Sequence, residues 1–213
     1  MKPYVVKQGD YLEKVAHALG FNADEVWNDP KNAELKKQRD PNLLHPGDIL
    51  YVPDRKMQWL PLKSGTDNLY IAKVPRTTVR LVFKDLDKPH ANEPYVILGM
   101  GEPEEGTTDG DGALEIKVPV HIREVQISFP KSRITYPIHI GDMDPVEEAS
   151  GARKRLRHLG YMWAFSGDEA DDREAVDRLA ILAFQQDQGL EVTGTLDDTT
   201  RAALARVHDG EAT

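Results

Sequence analysis

The sequence contains no cysteine, and this absence excludes several kinds of chemistry. Without thiols the chain can form no disulfide, no thiolate zinc site and no cysteine nucleophile. Basic residues are in the minority, because 27 Lys and Arg against 36 Asp and Glu give a formal net charge of −9. They are also scattered along the chain. We therefore expect no binding of DNA or RNA, which requires a concentrated positive surface.

Long apolar runs are missing as well. Residues 1–10 hold no apolar stretch of the length that a signal peptide requires, and no later segment is long enough to cross a bilayer. We therefore expect no membrane partner and a synthesis that ends in the cytosol. Any action in the periplasm or outside the cell would then depend on delivery by a secretion apparatus.

Catalytic and metal-binding patterns are equally absent. The histidines show no H-x-H or H-E-x-x-H spacing, and there is no G-x-S-x-G motif or glycine-rich phosphate loop. Asp109 and Asp111 stand in a segment like a calcium loop, but the other ligands of such a loop are missing, and a hairpin turn explains them better. Acidic pairs lie in polar segments without apolar flanks to raise a carboxyl pKa. We expect no enzyme, no metal site and no cofactor.

Residues 4–53 show the order strand, helix, helix, strand. A short β pattern at 4–6 is followed by apolar residues at helical spacing over 12–19. Asn22 and Glu25 form the sequence pattern of a capping box for a second helix. A strand at 49–52 closes the segment, and we expect it to pair with the first strand.

This segment resembles a LysM domain. The resemblance is carried by Tyr4-Val5-Val6-Lys7-Gln8-Gly9-Asp10, by Val15-Ala16 with Gly20, and by Pro46-Gly47-Asp48-Ile49-Leu50-Tyr51-Val52-Pro53. It implies a βααβ domain over residues 1–53 that binds peptidoglycan or another glycan containing N-acetylglucosamine. The ligand would lie in a cleft between two loops. The residues assigned to this cleft by the resemblance are Gly9, Asp10, Tyr11, Leu12, Asn42, Leu43, Leu44, Pro46 and Gly47.

Two explanations of these cleft residues are open. In the first, Gly9 lets backbone amides approach the sugar and Tyr11 stacks on a pyranose face. In the second, Gly9 and Asp10 only shape the entry to the first helix, while Leu12 and Leu43 belong to the core.

Residues 54–143 change to short β-branched and aromatic runs separated by proline, glycine and aspartate, which favours an antiparallel β-sandwich. The turn at 107–112 is similar to one found in carboxypeptidase-regulatory-like and bacterial immunoglobulin-like domains. The predicted strands are Leu69–Val74, Thr78–Phe83, Tyr95–Leu98, Leu114–Val118, Val125–Phe129 and Thr135–Ile140.

Residues 144–213 return to a helical pattern. Asp144 followed by Pro145 and Glu147 predicts the start of a first helix, and Asp197 is expected to cap a third. A second helix is expected at about 172–188, with Leu179 among its inward-facing residues. The segment resembles the three-helix peptidoglycan-binding domain, which implies peptidoglycan as ligand. The residues that carry this resemblance are Leu156-Arg157-His158-Leu159-Gly160-Tyr161, Ala183-Phe184-Gln185, Gly189-Leu190-Glu191-Val192-Thr193-Gly194 and Leu196-Asp197-Asp198-Thr199-Thr200.

An aromatic cluster and a basic run stand out in this last segment. Tyr161 and Trp163, with Phe165, form either a ligand-binding surface or part of the core. The basic run consists of Arg153, Lys154, Arg155 and Arg157, which we expect on the solvent side of an amphipathic helix.

The sequence thus predicts a multidomain α+β protein, for which two functions are considered. The first is a non-catalytic protein that binds cell-wall glycan through both end domains and gains avidity from their linkage. The second is an accessory, adaptor or cargo protein of a type VI secretion or phage-tail-like contractile injection system. There the same domains would dock onto spike, baseplate or effector proteins. The stretch from Trp27 to Leu35, with Arg39–Pro41, is similar to proteins encoded beside such systems.

Overall fold

The computed structural model describes residues 1–54, 60–70, 73–85, 88–162 and 173–210. The chain is a mixed helix and sheet protein that divides into two compact units, Met1–Asp142 and Met143–Thr213. A further division near residue 53 stays a prediction. None of the helices in these ranges combines the length and the apolar character that a bilayer crossing requires.

The first unit begins with a two-stranded ribbon and several short helices. The bounds of these elements are β1 (Lys2–Val5), α1 (Leu12–Leu19), α2 (Ala23–Trp27), a 3₁₀ helix (Pro30–Asn32), α3 (Ala33–Gln38) and β2 (Ile49–Val52). Strands β1 and β2 pair antiparallel, with Val5 opposite Ile49, as the sequence predicted. The predicted order is also found, but the 3₁₀ helix and α3 were not predicted.

Local capping explains where the first helices begin and end. The side chain of Asn22 accepts a hydrogen bond of 3.0 Å from the backbone N–H of Glu25, which confirms the predicted start of α2. Gly20 ends α1 in the left-handed conformation at φ 75°, where a side chain would be strained. The helices and the ribbon enclose one apolar cluster, made of Val6, Leu12, Val15, Val26, Trp27, Leu44, Leu50 and Val52.

The described residues from 76 to 139 form antiparallel sheets. Their strands are β3 (Arg76–Val82), β4 (Lys84–Asp85), β5 (Lys88–Pro89), β6 (Pro94–Leu98), β7 (Glu104–Thr107), β8 (Ala113–Pro119), β9 (Glu124–Phe129) and β10 (Ile134–His139). One sheet has four strands in the order β10-β9-β6-β7, and β3 with β8 and β4 with β5 form two-stranded sheets. Five predicted strands are found, whereas β4, β5 and β7 were not predicted and the described part of 69–74 contains no strand. The sandwich architecture stays a prediction.

The four-stranded sheet and the β3–β8 pair contribute to one hydrophobic core. Ile127 and Phe129 from β9 are fully buried in the same cluster as Val118 from β8. The turn before β8 is stabilised by Asp109, whose carboxylate accepts hydrogen bonds from the backbone N–H groups of Asp111, at 2.9 Å, and Ala113, at 2.7 Å. This geometry agrees with the hairpin-turn explanation of the two aspartates.

In its described residues the second unit contains the helices α4 (Ala149–His158), α5 (Arg173–Asp187) and α6 (Asp198–Asp209). Asp197 caps α6 as predicted, because its side chain accepts a hydrogen bond of 2.7 Å from the N–H of Thr200. The prediction that the first helix starts at Pro145 is wrong, since α4 begins at Ala149. The preceding chain folds back onto α4 instead, so closely that a Cβ at Gly151 would clash with the carbonyl oxygen of Pro145.

Two predictions of side-chain direction are also wrong in this unit. Arg155, expected in solvent, is fully buried, and Leu179, expected in the core, is 52% exposed. Arg155 is buried because an aspartate and two backbone carbonyls accept its hydrogen bonds. The core of the unit consists of Ala152, Leu156, Met162, Ala180, Ile181, Phe184, Ala203 and Leu204.

Candidate functional site

The first predicted cleft loop is held together by Asp10. Its carboxylate accepts hydrogen bonds from the Tyr4 hydroxyl, at 2.6 Å, and from the Lys7 backbone N–H, at 3.0 Å. The ammonium group of Lys14 lies 3.8 Å from the same carboxylate and donates to the carbonyl oxygen of Gly9. Burial, together with the hydrogen bond and charge of Asp10, raises the pKa of Tyr4 to about 12. Asp10 therefore has a structural role in shaping this loop.

Tyr11 lies in the hydrophobic core of the sheet region and not on the surface. Only 3% of the residue is exposed, and its hydroxyl lies 3.4 Å from the carbonyl oxygen of Val120. Burial, with a smaller contribution from the charge of Glu13, raises the pKa of Tyr11 to about 12. Gly141 packs on the ring, since a Cβ there would lie 2.8 Å from a ring carbon. The ring face that we predicted to stack on a sugar is therefore covered by protein.

A backbone hydrogen bond joins the first predicted cleft loop to the start of the second. The backbone N–H of Leu12 donates to the carbonyl of Pro41 at 2.9 Å, which joins the two loops. Leu12 and Leu44 are each only 4% exposed and belong to the core, as the alternative explanation held for Leu12. The predicted residues differ in exposure: Asn42 and Gly47 are exposed, whereas Gly9, Leu43 and Pro46 are partly buried.

In the second unit, a buried glutamine organises the loop between α5 and α6. The side-chain oxygen of Gln185 accepts hydrogen bonds from the N–H groups of Thr193, at 3.0 Å, and Gly194, at 2.8 Å. Its nitrogen donates to the Thr193 and Thr200 hydroxyls, at 3.0 and 2.9 Å, and to the Thr195 carbonyl, at 3.1 Å. Because Gln185 is fully buried, these bonds fix the loop from its inner side.

The outer side of this loop, residues 190–196, is open to solvent. Val192 is 53% exposed, and Glu191 and Thr195 are also exposed. Gly194, at φ 71°, lets the loop approach the side chain of Arg178 on α5, because a Cβ would lie only 3.0 Å from it. The loop therefore presents an apolar side chain and polar groups on a rigid support, which suits surface recognition.

The predicted aromatic cluster is only partly within the described residues. Tyr161 is half-buried and meets Phe184 edge to face, with 5.4 Å between the ring centroids. This contact favours the core explanation for Tyr161. Trp163 and Phe165 lie outside the described residues.

One polar cluster was missed at the sequence level because Ser132 is 39 residues from Glu93 in the chain. His90 Nδ1 lies 2.6 Å from the Glu93 carboxylate, which also accepts a hydrogen bond from the Ser132 hydroxyl. The hydrogen bond from Ser132 is the largest cause that lowers the pKa of Glu93. His90 Nε2 is buried without a hydrogen-bond partner. Since Ser132 bonds to Glu93 and not to His90, the cluster does not form a serine–histidine–carboxylate triad.

Histidine, aspartate and glutamate are the candidate metal ligands of this cysteine-free chain. Within the described ranges, no group of three or more histidine, aspartate or glutamate side chains could hold a metal ion. His121 and His139 are both exposed, and His139 Nδ1 lies 3.5 Å from the Glu124 carboxylate.

Comparison with known proteins supports one part of the chain. Residues 147–204 match the family model of the putative peptidoglycan binding domain. No curated protein and no solved structure matches the chain. The matched range contains α4, α5, the loop held by Gln185 and the first half of α6. The helical C-terminal region thus carries a peptidoglycan-binding domain resemblance, which suggests peptidoglycan as a partner.

Proposed function

We propose that the protein is a non-catalytic peptidoglycan-binding protein whose C-terminal unit makes the main contact. The observation that carries this proposal is the match of residues 147–204 to the putative peptidoglycan binding domain. The loop 190–196 lies within the matched range, and hydrogen bonds from its backbone to the buried Gln185 side chain hold it in place. A loop that is already ordered loses little conformational entropy when a ligand binds.

The exposed groups of this loop suit a glycan or its stem peptide. Val192 offers an apolar surface, while the carboxylate of Glu191 and the hydroxyl of Thr195 can form hydrogen bonds with ligand amides and hydroxyls. Contact with Val192 at the centre of the loop would be lost if a charge were introduced there.

The N-terminal region supports at most a smaller contribution to glycan binding. Its resemblance to a LysM domain remains our interpretation of the sequence. If it binds sugar, the contact involves Asn42 and Gly47, which are exposed, and does not involve Tyr11, which is buried. A weak second contact on the same chain would still increase retention on a polymeric ligand through avidity.

Co-sedimentation with purified sacculi tests the proposal. We expect the wild-type chain to be retained and Val192→Asp to reduce retention severalfold. The matched control is Val82→Asp, since Val82 on β3 is similarly exposed, at 59%, but lies outside the matched range. Equal retention of both variants would overturn the assignment of the loop. Release of soluble muropeptides by the wild-type chain would contradict the non-catalytic part of the proposal.

A second function is favoured by a specific surface feature. Residues 60–74 carry large apolar side chains in a segment whose described part contains no helix or strand. Leu62 is 78% exposed and Leu69 is 87% exposed. Exposed apolar segments of this kind are typical of protein-docking surfaces. The alternative is therefore an accessory, adaptor or cargo protein of a type VI secretion or contractile injection system, delivered with its spike to the periplasm or outside the cell.

The two functions differ in what the wild-type chain binds. Docking alone predicts no retention on sacculi, together with binding to a spike or baseplate protein that Leu62→Asp and Leu69→Asp weaken. Glycan binding predicts retention that these two substitutions leave unchanged.

A further inference from the structure

Two histidines join the ends of α4 and α6. His158 is the last residue of α4, and His208 is in the last turn of α6. His158 Nδ1 lies 2.9 Å from His208 Nε2, and the ring planes are inclined by only 29° with centroids 5.1 Å apart. These two nitrogens face each other, and a separation of 2.9 Å is a hydrogen-bond distance that accommodates a single hydrogen atom between them. The bond therefore requires that one of the two facing nitrogens be unprotonated.

An ion pair between the buried Arg155 and the partly buried carboxylate of Asp209 fixes the far side of His208. His208 Nδ1 lies 2.6 Å from Asp209 Oδ1, and Arg155 donates to the same carboxylate at 2.8 Å. Burial would raise the pKa of Asp209, but the hydrogen bonds from His208 and Arg155 outweigh it, so that its pKa is lowered. Because Asp209 stays ionised, His208 keeps a proton on Nδ1 and presents Nε2 to His158.

The surroundings of the pair resist a second proton. His158 keeps part of its surface exposed, and partial desolvation is the largest cause that lowers its pKa, followed by the charges of His208, Arg155, Arg157 and Lys154. Asp209 is the anion bonded to the pair, and it already neutralises Arg155. The other nearby ion pairs of α4 are Lys154 with Asp144 and Arg153 with Asp177 of α5. Two protonated rings would thus face each other beside further positive charge.

We propose that His158 and His208 form an acid-sensitive latch between α4 and α6. The latch is closed while the pair holds one proton between its facing nitrogens, and it opens when both rings are fully protonated. An open latch frees the C-terminal end of α6 from α4, where the same chain of bonds continues to the buried Arg155. This inference goes beyond the proposed function, because it concerns the stability of the unit and not its ligand.

The direction of the pH effect follows from proton binding. In the unfolded chain His158 takes up a proton near its ordinary pKa of 6.5, whereas in the folded unit its pKa is lower. Between these two values the unfolded state binds more protons, so stability falls as the pH falls below about 6.5. Above that range the latch contributes its full stability.

Amide hydrogen exchange of α6 in the full-length chain tests the latch without any glycan. We expect the protection factors of α6 to fall by up to about tenfold per pH unit below about pH 6.5, since one extra proton bound changes the equilibrium by that factor. His158→Gln should remove most of this dependence. The control His17→Gln changes an exposed histidine on α1 and should leave the pH dependence of α6 protection unchanged.

A second measurement needs no variant. Proton NMR of the histidine rings should show His158 titrating below the ordinary histidine value of 6.5, with a change in the His208 signals as His158 takes up its proton, because the two rings face each other at 2.9 Å. Titration of His158 at the ordinary value without any change at His208, or α6 protection that does not change with pH, would overturn the latch. Failure of sacculus binding would leave both readouts unaffected, so the two proposals can be rejected separately.

Discussion

The loop Gly9–Leu12 and the loop 190–196 are both small loops next to a helix end, but they differ in whether their apolar side chains are buried or exposed. The first directs its aromatic ring, Tyr11, into the sheet core, and Gly141 covers that ring. The second is held from inside by Gln185 and leaves Val192 exposed. A loop whose side chains complete a core cannot offer them to a ligand. The comparison therefore identifies Tyr11 as an internal anchor and agrees with our proposal that loop 190–196 contacts the ligand.

The largest expected effect comes from removing this anchor. We expect Tyr11→Ala to lower the free energy of unfolding of the first unit by about 3–5 kcal/mol, because it leaves a cavity in the core. Tyr11→Phe keeps the ring and loses only the hydroxyl contact with Val120, so its cost should be about 1 kcal/mol or less. Urea unfolding followed by amide signals of β8 and β9 measures both. The comparison breaks if Tyr11→Ala leaves stability unchanged and abolishes sacculus binding.

The next effect concerns the buried charge of the second unit. Arg155→Ala should destabilise this unit by about 3 kcal/mol, since it removes a fully buried partner and leaves Asp209 without its guanidinium. Arg157→Ala is the control, because Arg157 is exposed on the same helix, and its effect should stay within about 0.5 kcal/mol. Urea unfolding followed at the amides of α5 and α6 distinguishes them. Equal effects of the two substitutions would show that the burial of Arg155 does not matter.

A smaller loss of stability is expected when loop 190–196 loses its internal support. Gln185→Leu should cost about 1–3 kcal/mol, because the N–H groups of Thr193 and Gly194 lose their acceptor. We also expect it to weaken retention on sacculi, since the loop is no longer held. Amide exchange within 190–196 should increase in the variant. Unchanged exchange would mean that Gln185 does not order the loop.

The smallest effect is expected at a local cap in the N-terminal region. Asn22→Ala removes the acceptor for the N–H of Glu25 and should cost about 1 kcal/mol. Asn22→Ser, which keeps a capping oxygen, should restore most of this stability. Thermal unfolding of both variants is the measurement, and identical melting temperatures would argue that the cap contributes nothing. We expect neither variant to change glycan binding.

Features that depend on neighbours in sequence were predicted well. The caps Asn22 and Asp197 follow from local patterns that the structure confirms. The match of residues 147–204 likewise confirms the resemblance stated for the C-terminal segment.

Features that depend on distant residues were not predicted. Tyr11 is buried because it meets Val120 and Gly141, more than a hundred residues away in the chain. Arg155 looks like part of a solvated basic run until Asp209 is brought next to it by the packing of α6 on α4. Amphipathic spacing alone cannot predict that Arg155 is buried. A buried charge needs a hydrogen-bonding or charged partner, and that partner is brought near only when the chain folds.

The most direct test of the account is a titration of the full-length chain with muropeptide fragments, followed by backbone amide shifts. The account predicts the largest shifts in residues 190–196 and none in Gly9–Leu12 beyond the noise. Shifts concentrated in Gly9–Leu12, with the loop 190–196 unchanged, would contradict it.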